Sequence, residues 1–337
     1  MIFARATFTD AVAAFEAAVR AQDSRASGKS FGKLQQSFQR ADDAELAAAA
    51  PRLAALLPEV PAGPRSVIAV LVGACVERGA DPAGCAPAIF AELGKALAGA
   101  AEFVERWAAT GGGDLPHADG SGPEAAVVAR VGADAAQAWW SLPQWEMATV
   151  AMLSHRSVRA QVDGRQELVT AARHLAEVSG DELKCLTYAL LVLDDEPLVV
   201  LHRESRSGYR MRMSGLGDNF QLHTLLAAEL VGAGHVPGEA PTPEAVAVCR
   251  NAPGQVPTTG AFNLAAPDGT WIWNEGTPSD IPVVDDVRLL VLDPPPYSRG
   301  WPAGRFFPGM PGELVLEGVL DAAETESWFA KVADAKS

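Results

Sequence analysis

The stretch Leu190-Leu191-Val192-Leu193-Asp194-Asp195-Glu196-Pro197-Leu198-Val199-Val200-Leu201 is where the chain changes its pattern. Before it, Leu183, Leu186, Leu190 and Leu191 recur at the spacing of one helix face. After it, Leu198 to Leu201 is a short run rich in β-branched residues, and Glu204-Ser205-Arg206-Ser207-Gly208 has turn chemistry. Tyr209-Arg210-Met211-Arg212-Met213 then alternates with period two, which completes the signature of an antiparallel hairpin. The switch predicts an α+β chain. An all-helical N-terminal bundle or short solenoid covers residues 1–194, and a smaller antiparallel β-containing region covers 195–337. The abrupt junction leaves open that both regions share one core.

Toward the N-terminus, Thr9-Asp10 followed by Val12, Phe15 and Val19 predicts a helix near 10–22. The Ser-, Gly- and Lys-containing residues 23–32 read as a loop. Asp42-Asp43 starts a further helix that Pro51 is expected to kink or divide. Val67 to Val72 is apolar nearly all round and predicts a central helix ending at Gly79. Asp81 and Pro82 then have the chemistry of an N-cap and first-turn proline. Residues 110–123 form a Gly/Pro/Asp loop, and further helices are expected near 124–140, 143–161 and 165–178.

Toward the C-terminus, Asp218 caps a predicted helix from Asn219 to about Val231, and a short helix is expected at 243–250. Phe262–Leu264 and Trp271–Trp273 flank Pro267-Asp268-Gly269, a hairpin signal. Val287–Leu292 and Leu314–Leu320 read as strands, residues 293–312 as a long loop, and 322–333 as a closing helix.

The 337 residues carry a formal charge of −15. Residues 1–180 hold a net −4 and residues 181–337 a net −11, a balance that disfavours nucleic acid and anionic membranes as partners. Met1 to Arg5 lacks a basic head before an apolar stretch, and no apolar run is long enough to span a bilayer. The expectation is a soluble cytoplasmic protein. The four cysteines form no C-x-x-C pair, and three of them lie in apolar or Ala-rich surroundings that suit buried free thiols.

No nucleotide, hydrolase or zincin motif withstands scrutiny. Ser27-Gly28-Lys29-Ser30 lacks the earlier glycine and the feeding strand of a phosphate loop. Gly215-Leu216-Gly217 precedes a helix, but Phe220 occupies the third position of a dinucleotide fingerprint. The sequence leaves any cofactor unknown, and no histidine pair lies at i, i+3 or i+4. A metal assembled from His202, Asp218 and His223 would depend on the hairpin folding against the next helix.

The candidates that remain are few. His202, Asp218 and His223 are the acid/base candidates. Arg210 and Arg212, sharing one strand face, suit recognition of an anion. Trp271 and Trp273, also on one face, suit either core or the wall of a ligand pocket. Together they predict a binding or accessory protein that holds a protein partner or small anionic ligand where the helical and β regions meet. The alternative is an enzyme acting on a small anionic substrate, with its acid/base groups gathered around His223.

Overall fold

A computed structural model describes residues 7–161 and 163–334, so the reading of Met1 to Arg5 lies outside the described residues. The chain divides into two compact units, Met1–Leu190 and Leu191–Ser337. The first is helical. It comprises α1 (Phe8–Arg20), α2 (Ser24–Phe38), α3 (Asp43–Leu56), α4 (Ala62–Glu77), α5 (Ala86–Ala109), α6 (Ala125–Val131), α7 (Ala133–Trp140), α8 (Leu142–Leu153), α9 (Arg156–Arg159), α10 (Arg165–Ser179) and α11 (Lys184–Leu191).

Capping chemistry sets several starts. Thr7 with Asp10 and Asp42 with Glu45 form reciprocal capping boxes at α1 and α3. The loop expected at 23–32 is instead the start of α2. Asp23 accepts from the Ala26 amide, and the Ser30 hydroxyl bonds back to the Ala26 carbonyl at 2.8 Å. Leu34 is fully buried and Phe31 meets Phe15, so tertiary burial overrides a composition that reads as loop. Pro51 lies inside α3, which continues past it to Leu56. Asp81 does not cap α5. It accepts from the Ala83 amide in a turn, and the helix begins after Cys85. The all-round apolar α4 is central, as its pattern predicts, and packs on α3 and α8. A Cβ added at Gly73 would lie 3.3 Å from Ala151 Cβ, so this glycine sets the close approach of α4 to α8. Among the described residues, no helix is long and apolar enough to cross a membrane.

The second unit contains β1 (Glu196–His202), β2 (Ser207–Ser214), α12 (Asn219–Leu230), α13 (Pro243–Arg250), β3 (Val256–Thr259), β4 (Asn263–Ala265), β5 (Val283–Val284), β6 (Val287–Asp293), β7 (Gly300–Ala303), β8 (Glu313–Val319) and α14 (Ala322–Phe329). The main sheet has the order β4-β6-β1-β2-β8, with β5 also on β6. The expected hairpin is β1–β2, in register from Glu196↔Met213 to His202↔Ser207. One ladder departs from the antiparallel expectation: β1 and β6 run parallel, so the sheet is mixed. The loop expected at 293–312 contains β7, which pairs with β3 in a second, two-stranded sheet.

The sheet is covered on both faces. Leu198, Val200, Tyr209, Met211 and Met213 pack with Leu222, Leu225 and Leu226 of α12. Val199, Leu201 and Leu289 face Trp328 and Phe329 of α14. At the end of the order, β8 pairs with β2 alone among the described residues, and the register slips between Arg210 and Met211 so that Glu317 is bulged.

Candidate functional site

The N-terminal half of α12 carries the densest buried polar chemistry of the C-terminal unit. Asp218 starts the helix by accepting from the Gln221 amide at 2.8 Å. Asn219, Gln221, His223 and Thr224 then follow, all buried. Buried polar groups must find partners, and each of these side chains reaches a distant segment. Asn219 Nδ2 donates to the Trp273 carbonyl at 2.9 Å, and Gln221 Nε2 donates to the Cys249 carbonyl at 2.6 Å. Thr224 Oγ1 receives the indole N–H of Trp301 at 3.3 Å.

His223 is the centre of this group. Its Nε2 accepts from the Ala261 and Phe262 amides at 3.1 and 3.2 Å. A nitrogen that accepts carries no proton, so the proton sits on Nδ1, 3.4 Å from Asn274 Oδ1. Burial lowers its pKa to about 4, opposed by the Asn274 bond and assisted by the charge of Arg299. The ring is neutral and fixed in one tautomer, with Trp301 edge-on at 4.9 Å. Gly260 packs closely beside it: a Cβ there would lie 3.0 Å from the Trp301 ring and 3.4 Å from His223 Cε1.

The other acid/base candidate, His202, lies on the same side of the sheet. Its ring meets Phe262 at 6.0 Å, and the His223 ring meets Phe262 at 5.8 Å, so phenylalanine fills the space between them. His202 Nδ1 is 2.6 Å from Ser205 Oγ and accepts from the Ser205 amide at 3.3 Å, which ties the β1–β2 turn. Burial lowers its pKa as well. Among the described residues, no group of three His, Cys, Asp or Glu side chains is placed to hold a metal ion.

Arg210 and Arg212 are not brought to these histidines. They project from β2 on the side opposite Tyr209, Met211 and Met213. Arg210 is ion-paired with Glu324, and Arg212 Nε donates to Glu317 at 2.5 Å. Arg212 also donates to the Asp195 carbonyl at 2.8 Å.

Trp271 and Trp273 do come together. The Ala265↔Trp271 bridge and the Ile272 amide bond to the Leu264 carbonyl hang residues 271–273 on β4. Ile272 points into the core, and the two indoles lie on the outside, edge to face at 5.7 Å. Trp273 is 58% exposed. The pair lines an open cleft of about 620 Å³ together with Asp268, Glu275, Gly276 and Asp280. Beneath the turn, Asn219 Nδ2 donates to the Trp273 carbonyl and the Asn219 backbone amide donates to the Gly276 carbonyl at 3.0 Å, and a Cβ at Gly276 would lie 3.4 Å from that Nδ2. A Cβ at Gly276 would collide with Asp280 Oδ2, the atom that accepts from the Thr277 amide.

The three acids of this cleft are the residues that sequence reasoning missed. Their signal was their placement in turns on both sides of Trp-x-Trp, in Pro267-Asp268-Gly269 and in Glu275-Gly276-Thr277-Pro278-Ser279-Asp280. The buried cysteines offer no alternative nucleophile. Burial raises Cys75 to about 12 and Cys85 and Cys249 to about 11. No family model matches the chain, and neither a curated protein nor a solved structure does.

Proposed function

We propose that this is a ligand-binding protein whose site is the Trp271–Trp273 cleft of the C-terminal unit. The exposed indole of Trp273, set on a second tryptophan in the wall of a cleft of about 620 Å³, carries the reading. Exposed apolar surface costs on the order of 25 cal/mol per Å², so a concave aromatic wall in water is surface that a ligand would cover. The support beneath it favours binding. Asn219 fixes the Trp273 carbonyl, while His223 fixes the 261–262 backbone and Asn274. A site held this way loses little ordering entropy on binding.

The same geometry weighs against the enzymatic alternative around His223. Both its ring nitrogens are engaged and the ring is fully buried, which supports a structural role. An anion bound at Arg210 and Arg212 would have to displace Glu324 and Glu317. The reading places the protein in the cytoplasm, a setting in keeping with four free cysteines.

Ligand-observed NMR with a mixture of small fragments tests the site. Fragments that bind the native protein should be lost in Trp273→Ala, a change confined to an exposed side chain. Fragments that bind both proteins equally would remove the cleft as the site.

A further inference from the structure

Independently of the tryptophan cleft, we infer that the connection from β6 to β7 is a protein-docking motif. It is the segment Pro294-Pro295-Pro296-Tyr297, and its partner is a small protein module whose aromatic groove takes adjacent prolines together with a tyrosine. The covalent chemistry comes first. A proline ring fixes φ near about −65° and removes an N–H, and it holds the residue before it in extended backbone. Asp293, Pro294 and Pro295 each precede a proline. The segment therefore leaves β6 as stiff, polyproline-like chain that offers carbonyls from three successive residues and no donor. Pro294 and Pro295 lie outside any helix, strand or turn, and the chain bends at Pro296 and Tyr297. A partner that binds this backbone finds much of its ordering already done.

A second observation is what the fold leaves uncovered. Pro294 to Ser298 are all exposed, and Tyr297 is 55% exposed. Among the described residues, none of these five makes a hydrogen bond to the rest of the chain. The Tyr297 ring is approached by the Arg299 guanidinium, whose Cζ lies 5.6 Å from the ring centroid. Stiffness alone accounts for the prolines. It gives no reason for a large aromatic ring left in water beside them, whereas a partner that reads proline and tyrosine side by side does.

A third observation is how firmly the two ends are held. Asp293 pairs with Asn263 in the β4–β6 ladder, and its carboxylate accepts from Arg203 Nε at 2.5 Å. At the other end the Arg299 carbonyl accepts from the Gly260 amide at 2.9 Å, and Arg299 Nη2 donates to the Phe262 carbonyl at 2.9 Å. Gly300 then opens β7 opposite Thr259. The motif is thus displayed from a fixed frame. Its spacing selects among proline-reading grooves. Positions 297, 298 and 299 are Tyr, Ser and Arg, so none of the three prolines has another three residues on. A groove of the SH3 type, which reads P-x-x-P, does not fit. The fit is to the WW type, in which aromatic rings clasp the flat proline faces and a hydrogen-bond donor at the edge meets a proline carbonyl.

Isothermal titration of the intact protein with an isolated WW module that takes Pro-Pro-x-Tyr peptides tests the inference, with an SH3 module as the contrast. The WW module should bind with a Kd on the order of 10–100 μM, and the SH3 module should not bind. Tyr297→Ala and Pro295→Ala should each weaken the WW module at least about tenfold, while Ser298→Ala should stay within about twofold. All three side chains are exposed, and circular dichroism matching the native protein establishes that each variant folds. Trp273→Ala should leave this affinity unchanged, so the motif and the tryptophan cleft stand or fall separately. No WW binding at about 1 mM overturns the inference. So does binding that survives Tyr297→Ala, and so does an SH3 module that binds as tightly.

Discussion

The His223 ring is neutral in the folded chain because two backbone amides occupy Nε2 and Asn274 takes the Nδ1 proton. Unfolded, the same ring titrates at its ordinary value of 6.5, against about 4 when folded. Between those values protons bind the unfolded state preferentially. His223 therefore contributes its stability fully above 6.5 and loses it as pH falls toward 4. The shift corresponds to roughly 3 kcal/mol. His202 shifts in the same direction and adds to the same slope. Urea midpoints measured across this window should fall with pH. His223→Leu should flatten that fall and cost about 2–4 kcal/mol at neutral pH, because it leaves two buried amides without an acceptor. A slope unchanged in the variant would assign the pH dependence elsewhere. The sequence marks His223 as a residue near a capped helix start, but not its role. Its partners lie 38, 39 and 51 residues away, a separation that no local pattern reports.

At the scale of elements, legibility follows how local the forces are. The β1–β2 hairpin and α13 are readable because period-two alternation and a Thr-Pro start are local signals. The helix α2 is not, since its Ser, Gly and Lys content hides a stripe whose value lies in contacts with α1. The strand β7 is hidden by Pro302. In the β3–β7 ladder Pro302 stands opposite Pro257, a pairing that needs no N–H from either. The parallel match of β1 with β6 depends on residues about 90 positions apart and has no sequence signature. The strand β2 shows a legible face. Its arginines share a face, where they pair with Glu324 and Glu317. Exposed pairs of this kind contribute little net stability. The double replacement Arg210→Ala and Arg212→Ala should leave the urea midpoint nearly unchanged and ligand affinity at the tryptophan cleft intact. A large loss of affinity would return the anion site to consideration.

The chain as a whole consists of two units, and the C-terminal one owns its cores. Every residue of the α12-side cluster and of the α14-side cluster lies beyond Leu191. A fragment of residues 191–337 is therefore expected to fold alone, with dispersed amide resonances and near-ultraviolet ellipticity from its tryptophans. Collapsed resonances would show that its cores need the helical unit. Such a fragment would also bear the steeper charge, −10 of the total −15. Its outermost strand gives that charge a particular meaning. Val315 and Val319 are exposed on β8, and what separates them from a continuous sticky ribbon is Glu317, bulged out of register and paired to Arg212. Glu317→Val would turn this rim into a template for its own kind. Concentrated solutions of that variant should seed thioflavin-positive fibres while the native protein stays clear. One glutamate on the last strand thus stands between a dispersed protein and a self-propagating deposit.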